Sequence, residues 1–358
     1  MTTRCTFAHV DLGALQSNFR AISDFLAEQI PANPPGIISV VKANAYGHGA
    51  PAVALALQKA GANILACADI EEAVTLREAG VTTEIVVFGA LSVSDVAGVF
   101  DHHLTPTIST PAAGRSLQAA AAARGVKLGC HLKVDTGMNR LGLRHDNLEH
   151  TLPELAAGRN LEIHAVCTHF ATADDPDSPL FQIQRERYER VLAQLPQFGV
   201  RPRIRHAANS AAMLRDVRVW YDLVRPGLLL YGVVPPPLAS TVPIRAVMSL
   251  RSRVVAVKGV KVGETVGYGA RWTVPKPGRI AIVPAGYADG LDVRLAGRGS
   301  VLVRGHRAPI VGSVSMDMIM VDVSEMQVET GDEVVIIGAQ GNERIEVRAI
   351  AATAQPLR

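Results

Sequence analysis

From residue 37 to about residue 232 the chain alternates short apolar runs with longer stretches of helical spacing, eight times over. The runs occupy residues 37–43, 64–70, 84–89, 104–108, 128–135, 163–170, 204–209 and 224–232. Between them lie Ala/Leu/Glu/Arg-rich segments such as 70–79 and 182–195, in which apolar residues recur at helical intervals. Strands alternating with helices indicate a parallel sheet. Eight such units in about 200 residues match the size of a (β/α)8 TIM barrel. The competing open, doubly wound sheet is not supported, because no Gly-x-Gly-x-x-Gly follows the first run. The expected fold is therefore α/β, with the barrel over residues 11–240.

After Pro235-Pro236-Pro237 the pattern changes. Residues 254–257, 280–283, 300–303, 310–314, 318–323 and 333–337 are short β-type runs separated by Gly and Pro, and helical spacing is nearly absent until 344–352. An all-β C-terminal domain is expected over residues 241–358, with residues 1–10 joining it. Two domains also suit a chain of 358 residues.

A hydrophobic content of 48% with 19% charged residues excludes disorder and a coiled coil. The 36 basic and 33 acidic residues are interspersed, with no dense Lys/Arg run, so nucleic acid is not a favoured partner. No apolar stretch reaches the roughly 18–20 residues needed to cross a bilayer. His9 and Asp11 interrupt the start, which does not read as a signal peptide. No membrane partner is expected, and the reading is cytoplasmic. Cys5, Cys67, Cys130 and Cys167 lie far apart without a Cys-x-x-Cys pair, which fits reduced core residues and no metal site.

In a TIM barrel the chemistry sits at the C-terminal ends of the strands. The first run ends in Lys42, where desolvation at the mouth can lower an amine's pKa and make it nucleophilic. A structural lysine snorkelling to solvent has the same sequence. Alternation along the fifth run puts His131, Lys133 and Asp135 on one face, inside the barrel. A buried lysine must be paired or neutralised, and Asp135 is a structural candidate for that task. The sixth run reaches Thr168-His169, the seventh ends Asn209-Ser210, and the eighth holds Arg225-Pro226-Gly227-Leu228. Small groups after strands seven and eight fit a phosphate cradle. Lysine plus cradle on one rim suggests pyridoxal phosphate, although a sugar-phosphate enzyme needs the cradle too.

The run Val41-Lys42-Ala43-Asn44-Ala45-Tyr46-Gly47-His48-Gly49 resembles the cofactor-lysine motif of the alanine racemases. Lys133-Val134-Asp135-Thr136-Gly137-Met138-Asn139-Arg140, Thr168-His169-Phe170-Ala171 and Arg225-Pro226-Gly227 match in the barrel. Val266-Gly267-Tyr268-Gly269, Gly286-Tyr287-Ala288-Asp289-Gly290 and Ser315-Met316-Asp317 match beyond it. The resemblance spans residues 7 to 340. It implies that Lys42 carries pyridoxal 5'-phosphate, that Tyr46 bonds its phosphate, and that Asn209, Ser210, Gly227 and Leu228 complete the cradle. Arg225 would face the pyridine nitrogen, oriented by His169, and Arg140 would act near the substrate carboxylate. Lys133 corresponds to the lysine carbamylated in many members. Tyr268 and Met316 would reach the site of a second subunit, which implies a homodimer with shared active sites.

The activity so implied is the interconversion of L- and D-alanine, supplying D-alanine for cell-wall synthesis, with Lys42 and Tyr268 as two bases on opposite faces of the substrate. A related racemase or decarboxylase of another amino acid, and a cofactor-binding protein without turnover, are the alternative readings. Gly267-Tyr268-Gly269 argues against the last. The match is incomplete at the end: relatives usually continue for several tens of residues and carry a further tyrosine against the phosphate, whereas the last tyrosine here is Tyr287. Weaker cofactor retention and a wider entrance are the expected results.

Overall fold

A computed structural model describes residues 5–89 and 96–354; residues 1–4, and residues 355–358 of the short tail, lie outside the described residues. The chain divides into two compact units, Leu12–Arg245, and Met1–Asp11 together with Ala246–Arg358. The segment 241–245, expected in the second domain, stays with the barrel for a visible reason. The buried Asn18 side chain accepts from the Arg245 N–H at 2.8 Å and donates to the Arg245 carbonyl at 2.7 Å. It also donates to the Leu230 carbonyl.

The first unit is a closed, eight-stranded parallel barrel. Its strands are Gly36–Val40, Ile64–Cys67, Glu84–Val87, Thr105–Ile108, Leu128–Asp135, Leu161–Cys167, Ile204–Asn209 and Leu223–Arg225. Each pairs with the next, and Leu223–Arg225 returns to Gly36–Val40. Inward side chains such as Ile38, Ala66 and Val86 are fully buried and pack into one interior cluster. Helices such as Ile70–Glu78, Pro111–Ala123 and Leu180–Gln194 separate the strands.

Every apolar run overlaps a strand, but five of the strands end before their runs do, three of them for a visible reason. Run 64–70 stops at Cys67 because the Asp69 carboxylate accepts from the Glu72 N–H and caps a helix. Run 224–232 is cut by Pro226, which has no N–H for a ladder. Run 37–43 stops at Val40, and the chain then enters one turn of left-handed helix: φ is 53, 51, 54 and 54° at Ala43, Asn44, Ala45 and Tyr46. Left-handed backbone costs an L residue roughly 1–2 kcal/mol and usually occurs singly. Here the Ala45 N–H bonds to the Val41 carbonyl at 2.8 Å, the Gly47 N–H to Ala43, and the Asn44 side chain accepts from the Ala50 N–H.

In the second unit an antiparallel path runs Phe7–Val10, Met248–Arg253, Glu333–Gln340, Ser300–Val303, His306–Val311, Ile319–Asp322, Gly278–Val283, Ala256–Val260. Val283, Val301, Val303, Ile310, Ile319 and Val321 are at the centre of its core. Run 254–257 falls across the break between two strands rather than inside one. Cys5 is exposed, which corrects its reading as a core residue; Cys67, Cys130 and Cys167 are buried, and burial pushes the Cys130 thiol up to about 12. Among the described residues no helix is long and apolar enough to cross a membrane.

Candidate active site

Because parallel strands end together, residues far apart in sequence meet at one rim. There the barrel holds a cavity of about 550 Å³, within the usual range for a small-molecule site. Lys42, Tyr46, Lys133, Arg140, His169, Asn209, Ser210, Arg225, Gly227 and Leu228 all line it. Four of these are cationic, and Asp174 is the carboxylate in the lining. The cavity therefore suits an anionic ligand.

Lys42 stands two residues after the end of the first barrel strand. Burial lowers its pKa, as do the nearby Arg140 and Arg225 charges, while Glu72 opposes them. Tyr46 packs against Tyr231 with ring centroids 5.0 Å apart, and burial raises its phenol pKa. Gly227 lies against the Tyr46 phenol oxygen, where a Cβ would collide. The Ser210 hydroxyl accepts from the Gly227 N–H at 2.9 Å and from the Leu229 N–H at 3.3 Å. Asn209 caps the short helix Ser210–Arg215 through the Ala212 N–H. These contacts fix a glycine-floored pocket in which Ser210 already holds the Gly227 and Leu229 N–H groups.

Arg225 is buried. One terminal nitrogen donates to His206 Nδ1 at 2.9 Å, and the other donates to His169 Nδ1, the Thr168 carbonyl and the Ala207 carbonyl at 2.8–3.1 Å. A guanidinium only donates, so both imidazoles must accept at Nδ1 and carry their proton on Nε2. His206 Nε2 then donates to His131 Nδ1 at 3.1 Å, which fixes the third ring in the same tautomer. Burial depresses all three: His131 to about 4, His169 and His206 well below the usual value. Arg225 thus carries its charge among neutral rings. Sequence reading reached His169 and Arg225 and missed His206; its only signal was an inward position on the seventh strand.

Lys133 is 9% exposed. Burial lowers its pKa and three cations, Arg225, Arg140 and Lys42, lower it further; the Cys167 thiol acts in the opposite direction. Asp135 does not neutralise it. The Asp135 carboxylate instead accepts from the Gly137, Met138 and Asn139 N–H groups of the following turn. Among the described residues no carboxylate forms an ion pair with Lys133.

The structure does not bring the remaining two residues into the barrel cavity. Tyr268 and Met316 belong to the second unit and are 78% and 60% exposed. Tyr268 sits between Gly267 and Gly269, both at φ near 74°, and its carbonyl accepts from the Ser313 hydroxyl.

Residues 10–235 match the family model of the alanine racemase N-terminal domain, and residues 247–357 that of the C-terminal domain. The chain is 41% identical over 356 residues to the alanine racemase of Symbiobacterium thermophilum, covering 99% of this chain and 93% of that one. Among solved structures it resembles the alanine racemase of Streptomyces lavendulae, at 35% identity and a TM-score of 0.92, covering 99% and 93% of the two chains. The alanine racemase of Bartonella henselae, solved with covalently bound pyridoxal phosphate, matches at 29% identity and a TM-score of 0.86, over 98% and 94%.

Proposed function

This chain belongs to the alanine racemase family, a family of pyridoxal-phosphate-dependent isomerases, and from that premise we propose how its own residues interconvert L- and D-alanine. The observation that carries the proposal is the convergence of Lys42, the Arg225–histidine network and the glycine-floored pocket on one cation-rich cavity. The residues present fit pyridoxal phosphate. A Cβ at Gly227 would fill space beside Tyr46, four cations suit a phosphate and a carboxylate, and Lys42 is an amine with a depressed pKa.

Tyr46, Ser210 and the backbone of Gly227 and Leu228 would hold the phosphate, with Asn209 fixing the local turn. Lys42 would carry the cofactor, and Arg225 would face its ring nitrogen. Pyridoxal phosphate, when bound, supplies an electron sink that acidifies the α-hydrogen of an attached amino acid. Inversion needs a proton removed on one face and returned on the other. Lys42 serves one face, and Tyr268 of a second subunit serves the other, with Met316 beside it. The chain is therefore proposed to work as a homodimer with shared sites.

Arg225 does not readily give a proton to a ring nitrogen. Held by His206 and His169, it would leave that nitrogen unprotonated and so limit side reactions such as transamination. An Arg225→Glu variant with an unchanged ratio of transamination to racemisation would remove this role. Arg140 positions the substrate carboxylate. Carbamylation of Lys133 would turn an unpaired buried cation into an anion facing Arg140, relieving the repulsion described above. Purified protein incubated with pyridoxal phosphate and L-alanine should produce D-alanine, and borohydride should fix the cofactor on Lys42. No D-alanine, or label on Lys133, overturns the assignment.

A further inference from the structure

Glu72 is not part of the cavity lining. It sits in the first turn of the helix Ile70–Glu78, where an acidic residue already complements the helix dipole. Its carboxylate also reaches back to the rim. One oxygen accepts from the Ala43 N–H at 2.6 Å, and the other accepts from the Ala68 N–H at 2.8 Å. These amides follow the ends of two paired barrel strands, Gly36–Val40 and Ile64–Cys67. One carboxylate therefore ties together the loops that leave adjacent strands.

The two ends of this clamp differ. Ala68 is packed in place, since its carbonyl fills the space a Cβ on Gly89 would need. Ala43 is the residue after Lys42 and opens the left-handed turn at φ 53°. Left to itself an L residue there drifts toward right-handed or extended backbone, which would swing Lys42 with it. Hydrogen bonds to a charged acceptor are about twice as strong as neutral ones. Around Lys42, moreover, Arg140 and Arg225 are the cations and Glu72 is the opposing anion.

We propose that Glu72 is a positioning residue for Lys42: by clamping the Ala43 and Ala68 amides it holds the left-handed turn that presents the Lys42 amine to the cavity. The proposal rests on the reading of Lys42 as the lysine that carries the cofactor. A carboxamide cannot accept at both ends, so Glu72→Gln keeps the shape while losing the charge and one bond. In the full chain titrated with pyridoxal phosphate, the variant should take up cofactor about tenfold more weakly by visible absorption. Borohydride-trapped label on Lys42 at sub-saturating cofactor should fall in parallel. The unfolding midpoint of the cofactor-free chain should move by only about 3 °C. Adding Ala43→Gly, which adopts a positive φ freely, should recover roughly a threefold part of the loss.

Unchanged uptake and labelling in Glu72→Gln overturn the proposal. So does a fall of about 10 °C or more in the midpoint without rescue by Ala43→Gly, because Glu72 would then support the fold at large. If the unsubstituted chain takes no label on Lys42, the reading of the cofactor lysine fails first, before any variant is compared.

Discussion

In the barrel, Arg225 is buried and its guanidinium is bonded to two imidazoles and two carbonyls, whereas in the β unit Tyr268 stands 78% exposed on a turn between two left-handed glycines. The barrel residues have their geometry set by neighbours within the same unit. Tautomers, charge and orientation there follow from contacts already present. The β unit fixes only the backbone of its tyrosine. A residue of the first kind can be assigned work from its surroundings, while one of the second kind would take its role from what it meets outside its own unit, as proposed for Tyr268.

The sharpest test of that contrast is to remove one base from each unit. Lys42→Ala should lower racemisation by about 10⁴-fold, the upper end of what a positioned acid–base group contributes, and should abolish cofactor labelling. Tyr268→Phe should leave cofactor uptake intact and slow hydrogen exchange from L-alanine by about 10²–10³-fold, with exchange from D-alanine far less affected. Mixing the two inactive proteins should restore some activity, because one site of each mixed dimer would hold both bases. Equal losses of exchange from both enantiomers, or no complementation, would break the assignment of Tyr268 to the opposite face and to a second subunit.

Acid should also separate the two units. His131, His169 and His206 have depressed pKa values when folded and ordinary values near 6.5 when unfolded, so the unfolded chain binds protons that the folded barrel refuses. Their contribution is complete above pH 6.5 and is lost as pH falls below it, in the case of His131 down to about 4. In the β unit the described histidines, His9 and His306, are exposed. Hydrogen exchange, corrected for intrinsic rates, should loosen in barrel peptides at pH 5 before it does in β-unit peptides. Equal loosening would show that the histidine network is not what sets acid stability.

The smallest expected effects come from paired glycine substitutions. Gly227→Ala must displace the Tyr46 phenol, an overpacking that should weaken cofactor uptake about tenfold. Gly267→Ala strains a turn at φ 73° and presses on Met320 within the β unit, so uptake should stay within about twofold. Similar losses of uptake in both would contradict the separation of tasks between the two units.

Much of the barrel was legible because its strands are continuous apolar runs, and residues that close such runs must lie at the mouth. Lys42, His169, Asn209 and Arg225 could be placed that way. The link from His206 to His131 could not, since it depends on the lateral arrangement of two strands rather than on either strand's pattern. The left-handed turn was hidden for another reason: Ala43, Asn44, Ala45 and Tyr46 contain no glycine, and alanine by itself favours right-handed helix. Glu72 reads as an ordinary acidic residue in a first helical turn. In the β unit, Met248–Arg253 does not read as a strand because Met-Ser-Leu-Arg-Ser-Arg lacks an apolar run, and Tyr268 and Met316 stand out only by resemblance.

The strand Phe7–Val10 pairs antiparallel with Met248–Arg253, and the Asp11 N–H bonds to the Val247 carbonyl at 2.8 Å, so the barrel's sequence is an insertion within the β unit. On a translating ribosome this dictates an order of events. The partner of the strand Phe7–Val10 is made about 240 residues after it, which at typical elongation rates is roughly 12–48 s. All of the barrel's residues are made within that interval, while the β unit must also wait for strands made after the barrel. Until then Phe7–Val10 lacks the partner it has in the folded chain, and the pace of synthesis sets how long that lasts.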